Sequence, residues 1–119
     1  MNRTNRKTQI KVMIKEPQRK PYFAEVDGSL QYMRKIVGGE LEGYPLATDL
    51  TLLCDSNAPY GDKPYNASLM GLPICGTFVL VGVSAGELTS LPVSEDDVQK
   101  AFPSLFCIPD GGGNAVGEL

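Results

Sequence analysis

Hydrophobic and polar residues alternate near the start of the chain, where they predict a β-hairpin. Residues 10–15 read Ile-Lys-Val-Met-Ile-Lys, and this period of two is typical of a strand that buries one face. Residues 16–21 contain two prolines and a charged cluster, which favour a turn because proline has no backbone donor. The segment from Tyr22 to Val26 then predicts a second strand that pairs with the first.

The apolar spacing changes after residue 29 and predicts a helix. Apolar side chains recur on one helical face, at Leu30, Met33, Ile36 and Val37. Asp27 or Ser29 can accept hydrogen bonds from the free amides at the start of this helix. Gly38 predicts its end, because glycine readily adopts the left-handed conformation that follows many helices.

The middle of the chain predicts two more strands and one long loop. The strands run from Glu40 to Leu46 and from Leu50 to Cys54. Residues 55–73 show no hydrophobic period and are rich in Asn, Asp, Gly and Pro, so they predict an irregular loop. A loop of this length inside a compact domain is uncommon unless it has a function.

The strongest strand pattern in the chain lies between Gly76 and Gly82, where the residues are apolar at almost every position. Such a run predicts a central strand that is covered on both faces. A short helix is predicted after it, because Ser94 can cap its start and Val93 and Val98 have the spacing of a hydrophobic staple. The predicted inward positions of this helix are Val98, Ala101 and Phe102.

These elements predict an α+β fold, with a mainly antiparallel sheet of about five strands and two short helices packed on one face of it. A chain of 119 residues fits one domain. We predict a flexible basic arm over residues 1–9, a single α+β domain over 10–109 and a flexible glycine-rich tail over 110–119.

Composition indicates the cellular compartment and argues against a metal site. No apolar run approaches the ~18 residues of a membrane span, and the N-terminus lacks the apolar core of a signal peptide, so we predict a cytoplasmic protein with no membrane partner. The cysteines Cys54, Cys75 and Cys107 form no CxxC pair. Because a zinc site needs about four nitrogen or sulfur ligands, we predict three reduced, mostly buried thiols and no metal.

The chain contains no histidine, which removes the commonest general base and the usual partner of a Ser or Cys nucleophile. The densest acidic cluster, Glu95–Asp97, falls in the first turn of a predicted helix, where negative charge is favoured. We therefore predict a protein that is not an enzyme, has no catalytic residues and uses no cofactor.

The best candidate binding residues lie in the predicted loop. Tyrosine offers a large, stiff contact surface with a polar tip, and Pro and Gly hold a loop in an irregular path. We predict binding through Tyr60, Asp62, Lys63, Tyr65 and Asn66. The alternative is that this loop folds back on the edge of the sheet and binds nothing.

Charge is distributed unevenly along the chain. Residues 1–35 hold nine Lys or Arg against three acids, whereas residues 36–119 hold two against eleven. The two halves can pair with each other in the fold or head to tail in a dimer, or the basic half can bind a polyanion. In the last case the anion-binding residues are Arg3, Arg6, Lys7, Lys11, Lys15, Arg19 and Lys20.

Several short patterns occur together along residues 10–106. They are Ile10–Ile14 with Glu16-Pro17, Lys20-Pro21-Tyr22, Ile36–Gly39 with Leu41-Glu42, Tyr65-Asn66, Gly76–Gly82 and the acidic segment Leu91–Phe102. Together they resemble a family of small domains of unknown function found in phages, plasmids, conjugative elements and gut bacteria. The resemblance implies an accessory protein of a mobile element with no assigned activity. Members tend to have Asn-Arg where this chain has Asn66-Ala67, so it lacks the arginine on which an anion contact would rest.

We thus expect a non-enzymatic accessory protein of a phage or mobile element that binds a protein partner or itself. The expected contacts are the Tyr60–Asn66 loop and an exposed edge of the sheet. The alternative is binding of nucleic acid or a nucleotide-like anion by the basic N-terminal half, which should weaken steeply as salt is added.

Overall fold

The computed structural model describes residues 9–57 and 63–107. The predicted arm and tail lie outside these residues, except for Gln9, which begins the first strand. The elements in chain order are β1 (Gln9–Lys15), β2 (Tyr22–Asp27), α1 (Leu30–Val37), β3 (Leu41–Ala47), β4 (Leu50–Asp55), β5 (Tyr65–Leu69), β6 (Leu72–Cys75), β7 (Phe78–Ser84), β8 (Glu87–Thr89), α2 (Glu95–Ala101) and a 3₁₀ turn (Pro103–Phe106).

Six strands form one antiparallel sheet in the order β2-β1-β7-β4-β3, with β8 paired to the end of β7. Strands β5 and β6 form a separate antiparallel hairpin. The predicted α+β fold with a mainly antiparallel sheet is confirmed. The predicted central strand is also confirmed, because β7 lies between β1 and β4 and its residues 78–81 are fully buried.

The sheet buries side chains on both of its faces, and one helix lies on each face. On the first face, Met33 and Val37 of α1 pack against β1, β4 and β7. On the second, Val98 of α2 and Leu105 of the 3₁₀ turn pack against the same three strands. The prediction of both helices on one face is wrong. The prediction that β1 buries only one face is also wrong, because Met13 of β1 belongs to the second core.

The loop predicted over residues 55–73 is wrong for its second half, which forms β5 and the start of β6. Met70 and Gly71 connect these strands with φ values of 49° and 83°, as in the tight two-residue turns of hairpins. Leu69 and Ile74 pack into the second core. The two strands have only five and four residues, so they show too little periodicity to be predicted.

The predicted helix caps are confirmed. Ser29 Oγ accepts a hydrogen bond from the Tyr32 N–H at 3.1 Å, and Gly38 follows α1 with a φ of 78°. Ser94 Oγ accepts from the Asp97 N–H at 3.0 Å. These contacts connect residues close in sequence, which explains why local patterns predict them.

The helix ends bury less than predicted. Leu30, at the start of α1, and Ala101, at the end of α2, are exposed although both were expected to face the core. Val93 is also exposed, so it forms no buried staple with Val98. Helix α2 has only seven residues, and the 3₁₀ turn completes its contact with the sheet by burying Leu105.

Two expectations from composition can be compared with the fold. None of the helices in the described residues is long and apolar enough to cross a membrane. The three thiols are free, but only Cys54 is buried, while Cys75 is half-buried and Cys107 is exposed. The prediction of mostly buried thiols is therefore correct only for Cys54.

Candidate binding site

Lys63, one of the five predicted loop residues, is part of the packing of the fold. Its Nζ donates to the carbonyl oxygens of Val37 at 2.8 Å and Gly38 at 2.9 Å, at the helix end where carbonyls lack partners within the helix. It also forms an ion pair with Asp55 at 2.7 Å. Lys63 therefore ties the segment before β5 to the end of α1 and the end of β4.

Asp55 is buried and accepts hydrogen bonds at both carboxylate oxygens. One oxygen accepts from Lys63 and the other from the Asn57 N–H at 3.0 Å. The hydrogen bond from Lys63, followed by the one from Asn57, lowers the pKa of this carboxyl group. A Cβ atom on Gly39 would overlap the Asp55 carboxylate, so glycine is needed there for the chain after α1 to approach the acid.

Asn66, a second predicted loop residue, is buried and connects three parts of the fold. Its Oδ1 accepts from Lys15 Nζ at 2.8 Å, and its Nδ2 donates to the carbonyl oxygens of Lys15 at 2.8 Å and Gly76 at 2.7 Å. These bonds join β5 to β1 and to the turn before β7. The amide oxygen and both amide hydrogens are used inside the fold, so Asn66 has a structural role.

Lys15, predicted in the anion-binding patch, is fully buried. Its Nζ donates to the Glu16 carbonyl at 2.9 Å as well as to Asn66, and no carboxylate of the described residues forms an ion pair with it. Burial lowers the pKa of this amine. Lys15 therefore cannot belong to a surface patch, because β1 is covered on both faces at this point.

The other described residues of the predicted patch are mostly engaged. Lys11 Nζ lies 2.7 Å from the Glu95 carboxylate, and Arg19 Nε lies 3.6 Å from that of Glu16. Lys20 is exposed. Three further members lie outside the described residues: Arg3, Arg6 and Lys7. Binding of nucleic acid or another anion stays a prediction.

The remaining loop residues do not form a shared surface in the described part of the chain. Tyr65 is 58% exposed, and its hydroxyl lies 2.9 Å from Ser68 Oγ. Tyr60 and Asp62 lie outside the described residues. Of the five predicted contacts, the structure thus leaves Tyr65 on the surface and uses Lys63 and Asn66 inside.

Of the three thiols, Cys54 is buried in surroundings that keep it protonated. Cys54 and Cys75 line one cavity of about 30 Å³. Burial, followed by the charges of Glu42 and Asp55, raises the pKa of Cys54 to about 11, so this thiol is protonated and unreactive at neutral pH. Among the described residues, no group of three or more Cys, Asp or Glu side chains could hold a metal ion.

The two edges of the sheet differ in a way that sequence reasoning missed. Strand β3 forms one edge, and it contains Pro45 followed by a register shift, both of which hinder pairing with another strand. Strand β2 forms the other edge. Within the described residues β2 pairs with β1 alone, and their register is unbroken over six residue pairs. Its free side therefore offers a regular row of backbone donors and acceptors.

A groove of about 370 Å³ runs beside β2. Glu25, Val26 and Asp27 of β2 contribute to its lining, as do Tyr32 and Lys35 of α1. The groove forms because α1 packs mainly against β3, β4 and β7, which leaves the β2 side of the sheet uncovered. We call β2 together with this groove the β2 edge.

Two exposed aromatic side chains belong to the β2 edge. Tyr22 is 44% exposed and Tyr32 is 37% exposed. Burial raises the pKa of Tyr22, followed by the charge of Glu16 and the hydrogen bond that the Tyr22 hydroxyl donates to the Glu16 carboxylate at 3.2 Å. The phenol is therefore neutral. The adjacent aromatics Tyr22 and Phe23 are visible in the sequence. Their place on an edge strand depends on the order of strands in the sheet and could not be predicted from the local pattern.

Comparison with known proteins identifies a family for this chain but no activity. A family model described as Domain of unknown function (DUF3846) matches residues 10–103, which span β1 to the end of α2. No curated protein and no solved structure matches the chain.

Proposed function

The chain belongs to the DUF3846 family of domains of unknown function, and from this premise we propose that it is a non-enzymatic binding domain. It takes an extended segment of a protein along the β2 edge. The observation that supports this proposal most directly is the unbroken edge strand β2, which has a free side among the described residues.

Strand addition explains how such an edge would bind. An extended segment laid beside β2 forms backbone hydrogen bonds with its unpaired N–H and C=O groups, which supplies affinity. Side chains of that segment then meet the groove between β2 and α1, which supplies specificity. Tyr22 and Tyr32 offer apolar area with a polar tip, as residues at protein interfaces often do.

Of the two expected contact surfaces, the Tyr60–Asn66 loop and an exposed edge of the sheet, the proposal keeps the edge and assigns it to β2. Lys63 and Asn66 use their polar groups within the fold, so a partner that engaged them would have to replace existing hydrogen bonds. The β2 edge requires no such exchange, because the free backbone groups of an edge strand are hydrated before binding.

An accessory role in a phage or mobile element is part of the same proposal. It is supported by the resemblance of residues 10–106 to domains from such elements. A genomic survey would test it: we expect the coding genes of close relatives beside genes for replication, transfer or host interaction. A uniform location among housekeeping genes would contradict this role.

Photo-crosslinking in the producing cells tests the binding surface. The photoreactive residue p-benzoylphenylalanine would replace Tyr22 in one variant and Tyr65 in another, because both are exposed aromatic positions. We expect position 22 to form a covalent adduct with a protein and position 65 to form none. Mass spectrometry of the adducts identifies the captured chain.

The same experiment separates the competing hypotheses. Adducts at position 65 alone would favour the loop and contradict the β2 edge. Adducts with nucleic acid that disappear as salt is raised would favour the anion-binding alternative. A third variant at the exposed Val93 controls for random capture, and equal capture there would also contradict the proposal.

A further inference from the structure

Strand β2 presents different chemistry on the two faces of the sheet. Val26 and half-buried Ala24 contribute to the first core, together with Met33 of α1. Half-buried Phe23 packs against the second core, on the face that α2 covers. Since side chains alternate between faces along a strand, Glu25 projects on the same face as Phe23. Strand β2 is therefore apolar toward α1, and aromatic and acidic toward α2.

Glu25 is the acid on this edge that is available to a partner. It is exposed, and it forms no ion pair with any other described residue. Lys11 lies directly opposite Glu25 in the β1–β2 register, but the Lys11 ammonium group pairs with Glu95 of α2 at 2.7 Å. A base that approaches Glu25 from the free side of β2 therefore breaks no ion pair between described residues.

The strand on the paired side of β2 shows which side-chain pattern fits it. Residues 10–12 of β1 read Ile-Lys-Val, and they pair with residues 24–26 of β2. The two apolar residues of this segment are buried in the first core. Lys11 between them extends over Phe23, with its Nζ 5.9 Å from the ring centroid, which is within the range of a cation–π interaction. Strand β1 therefore places apolar side chains toward α1 and a base toward α2.

The free side of β2 offers the same two rows of side chains to an added strand. Directly opposite residues of paired strands have Cβ atoms about 4.5 to 5.5 Å apart on one face. Side chains of the added strand that point toward α1 meet Ala24, Val26 and the exposed Tyr22. Those that point toward α2 meet Phe23 and Glu25. Favourable cross-strand pairs then require apolar residues at one set of alternate positions and Lys or Arg at the other.

From this pattern we propose that the segment bound at the β2 edge is an amphipathic basic strand of another protein, with apolar residues toward α1 and Lys or Arg toward α2. This inference rests on the proposed function, because it names the chemistry of the occupant of the same edge. The formal net charge of the chain, −3 at pH 7, also favours a basic partner. The ion pair at Glu25 is exposed to solvent, so added salt should weaken binding.

Synthetic peptides of about eight residues, within the usual length of a strand, test this chemistry. Val and Lys alternate in the first, which we call the Val-Lys peptide, and Val and Glu alternate in the second, the Val-Glu peptide. Fluorescence anisotropy measures the dissociation constant of each labelled peptide from the full chain. We expect the Val-Lys peptide to bind about fivefold more tightly or better, because opposite charges across strands attract and like charges repel. A third peptide, with the composition of the first but its valines grouped together, should bind as weakly as the second.

Charge exchange in the protein locates the contact. Glu25→Lys should weaken binding of the Val-Lys peptide by about fivefold or more and strengthen binding of the Val-Glu peptide. Glu40→Lys makes the same charge change at an exposed position just before β3, at the other edge of the sheet, and should bind both peptides like the parent. Circular dichroism of both variants should match that of the parent, because both positions are exposed. Equal effects of the two substitutions would show a net-charge effect and would overturn the contact at Glu25.

The results distinguish this inference from the proposed function. If position 22 captures a cellular protein but the Val-Glu peptide binds the parent as tightly as the Val-Lys peptide, strand addition is supported and the basic partner is overturned. Failure of both peptides to bind also overturns the basic partner, as does an adduct at position 22 between two copies of this chain. No adduct at position 22 together with no binding of either peptide contradicts both proposals.

Discussion

Two lysines fasten the β5–β6 hairpin region to the body of the fold, and their environments are opposite. Lys63 has a side chain that is 28% exposed, and it meets the Asp55 carboxylate and two carbonyls at the end of α1. Lys15 is fully buried, and its ammonium group donates to two neutral oxygens, those of the Glu16 carbonyl and the Asn66 amide. One tether depends on opposite charge, and the other depends on hydrogen-bond geometry alone.

This difference determines what each tether contributes at neutral pH. Lys63 keeps part of its hydration and has a charged partner, so its ion pair is favourable or close to neutral in free energy. Lys15 has lost its hydration, and an ammonium group buried among neutral partners is costly unless every hydrogen bond is well formed. We therefore expect the Lys15 tether to be the more sensitive of the two to substitution.

The largest expected effect comes from the side chain that supports the Lys15 tether. Phe78 lies directly opposite Lys15 in the β1–β7 register and is fully buried. Phe78→Ala should lower the free energy of unfolding by about 3 to 5 kcal/mol, because it leaves a cavity in the second core. Urea denaturation measures this loss. Tyr65→Ala, at an exposed position, should cost under about 1 kcal/mol, and equal losses in both variants would contradict the central position of β7.

The next largest effect should follow the loss of the amide that holds Lys15. Asn66→Leu removes the acceptor of the buried ammonium and two hydrogen bonds to backbone carbonyls. We expect a loss of about 3 kcal/mol in the free energy of unfolding, since an unpaired buried charge is more costly than a broken surface contact. Thermal and urea unfolding of the variant and the parent would measure it.

A double variant shows whether the charge is the cause. Lys15→Met/Asn66→Leu removes the ammonium together with its acceptor, and replacement of both partners by apolar groups is often close to neutral. The double variant should therefore be more stable than Asn66→Leu alone. If both variants lose the same stability, the cost arises from the two lost backbone contacts and not from the lysine.

A smaller effect is expected at the Lys63 tether. Asp55→Asn removes the negative charge, but Lys63 keeps its bonds to the Val37 and Gly38 carbonyls. We expect a loss of about 1.5 to 2 kcal/mol, at the lower end of the range for a hydrogen bond to a charged group. Urea unfolding again provides the measurement. A loss larger than that of Asn66→Leu would reverse the comparison between the two tethers.

The parts of the fold that depend on local signals could be predicted from the sequence. The strand between Gly76 and Gly82 shows a continuous apolar run, and the caps at Ser29, Gly38 and Ser94 involve neighbours within a few residues. Such features need no knowledge of the rest of the chain. They were sufficient for the α+β class and the antiparallel sheet.

The site could not be predicted, because it depends on contacts between distant residues. The Lys15–Asn66 hydrogen bond joins positions 51 residues apart, so alternation in β1 indicates an exposed lysine where the fold buries one. Asn66 in a segment rich in Asn, Pro and Gly suggests a recognition loop, yet the amide has a structural role. The edge position of β2 likewise follows from the strand order β2-β1-β7-β4-β3.

The smallest expected effect is the pH dependence of the unfolding free energy. Asp55, the partner of Lys63, should contribute to it in acid, and Lys15 should contribute to it in alkali. The pKa of Asp55 is lowered from 3.8, so the folded state favours the carboxylate. Its contribution is complete above that ordinary value and is lost as the pH falls through the lower folded pKa. Asp55→Asn should remove this loss, so the difference in unfolding free energy between parent and variant should shrink in acid.

Lys15 should act at the alkaline end. Its pKa is lowered from 10.5 by burial, so the unfolded chain binds the proton more tightly than the folded one. The cost of the buried charge is complete below the folded pKa. It disappears as the pH rises from that value to 10.5, so the folded state gains stability over this range. Lys15→Met should lack this gain, while Asp55→Asn should keep it. Unfolding free energies of the three proteins across pH, compared as differences from the parent, measure both effects. Equal alkaline gains in Lys15→Met and the parent would show that the Lys15 ammonium carries no burial cost.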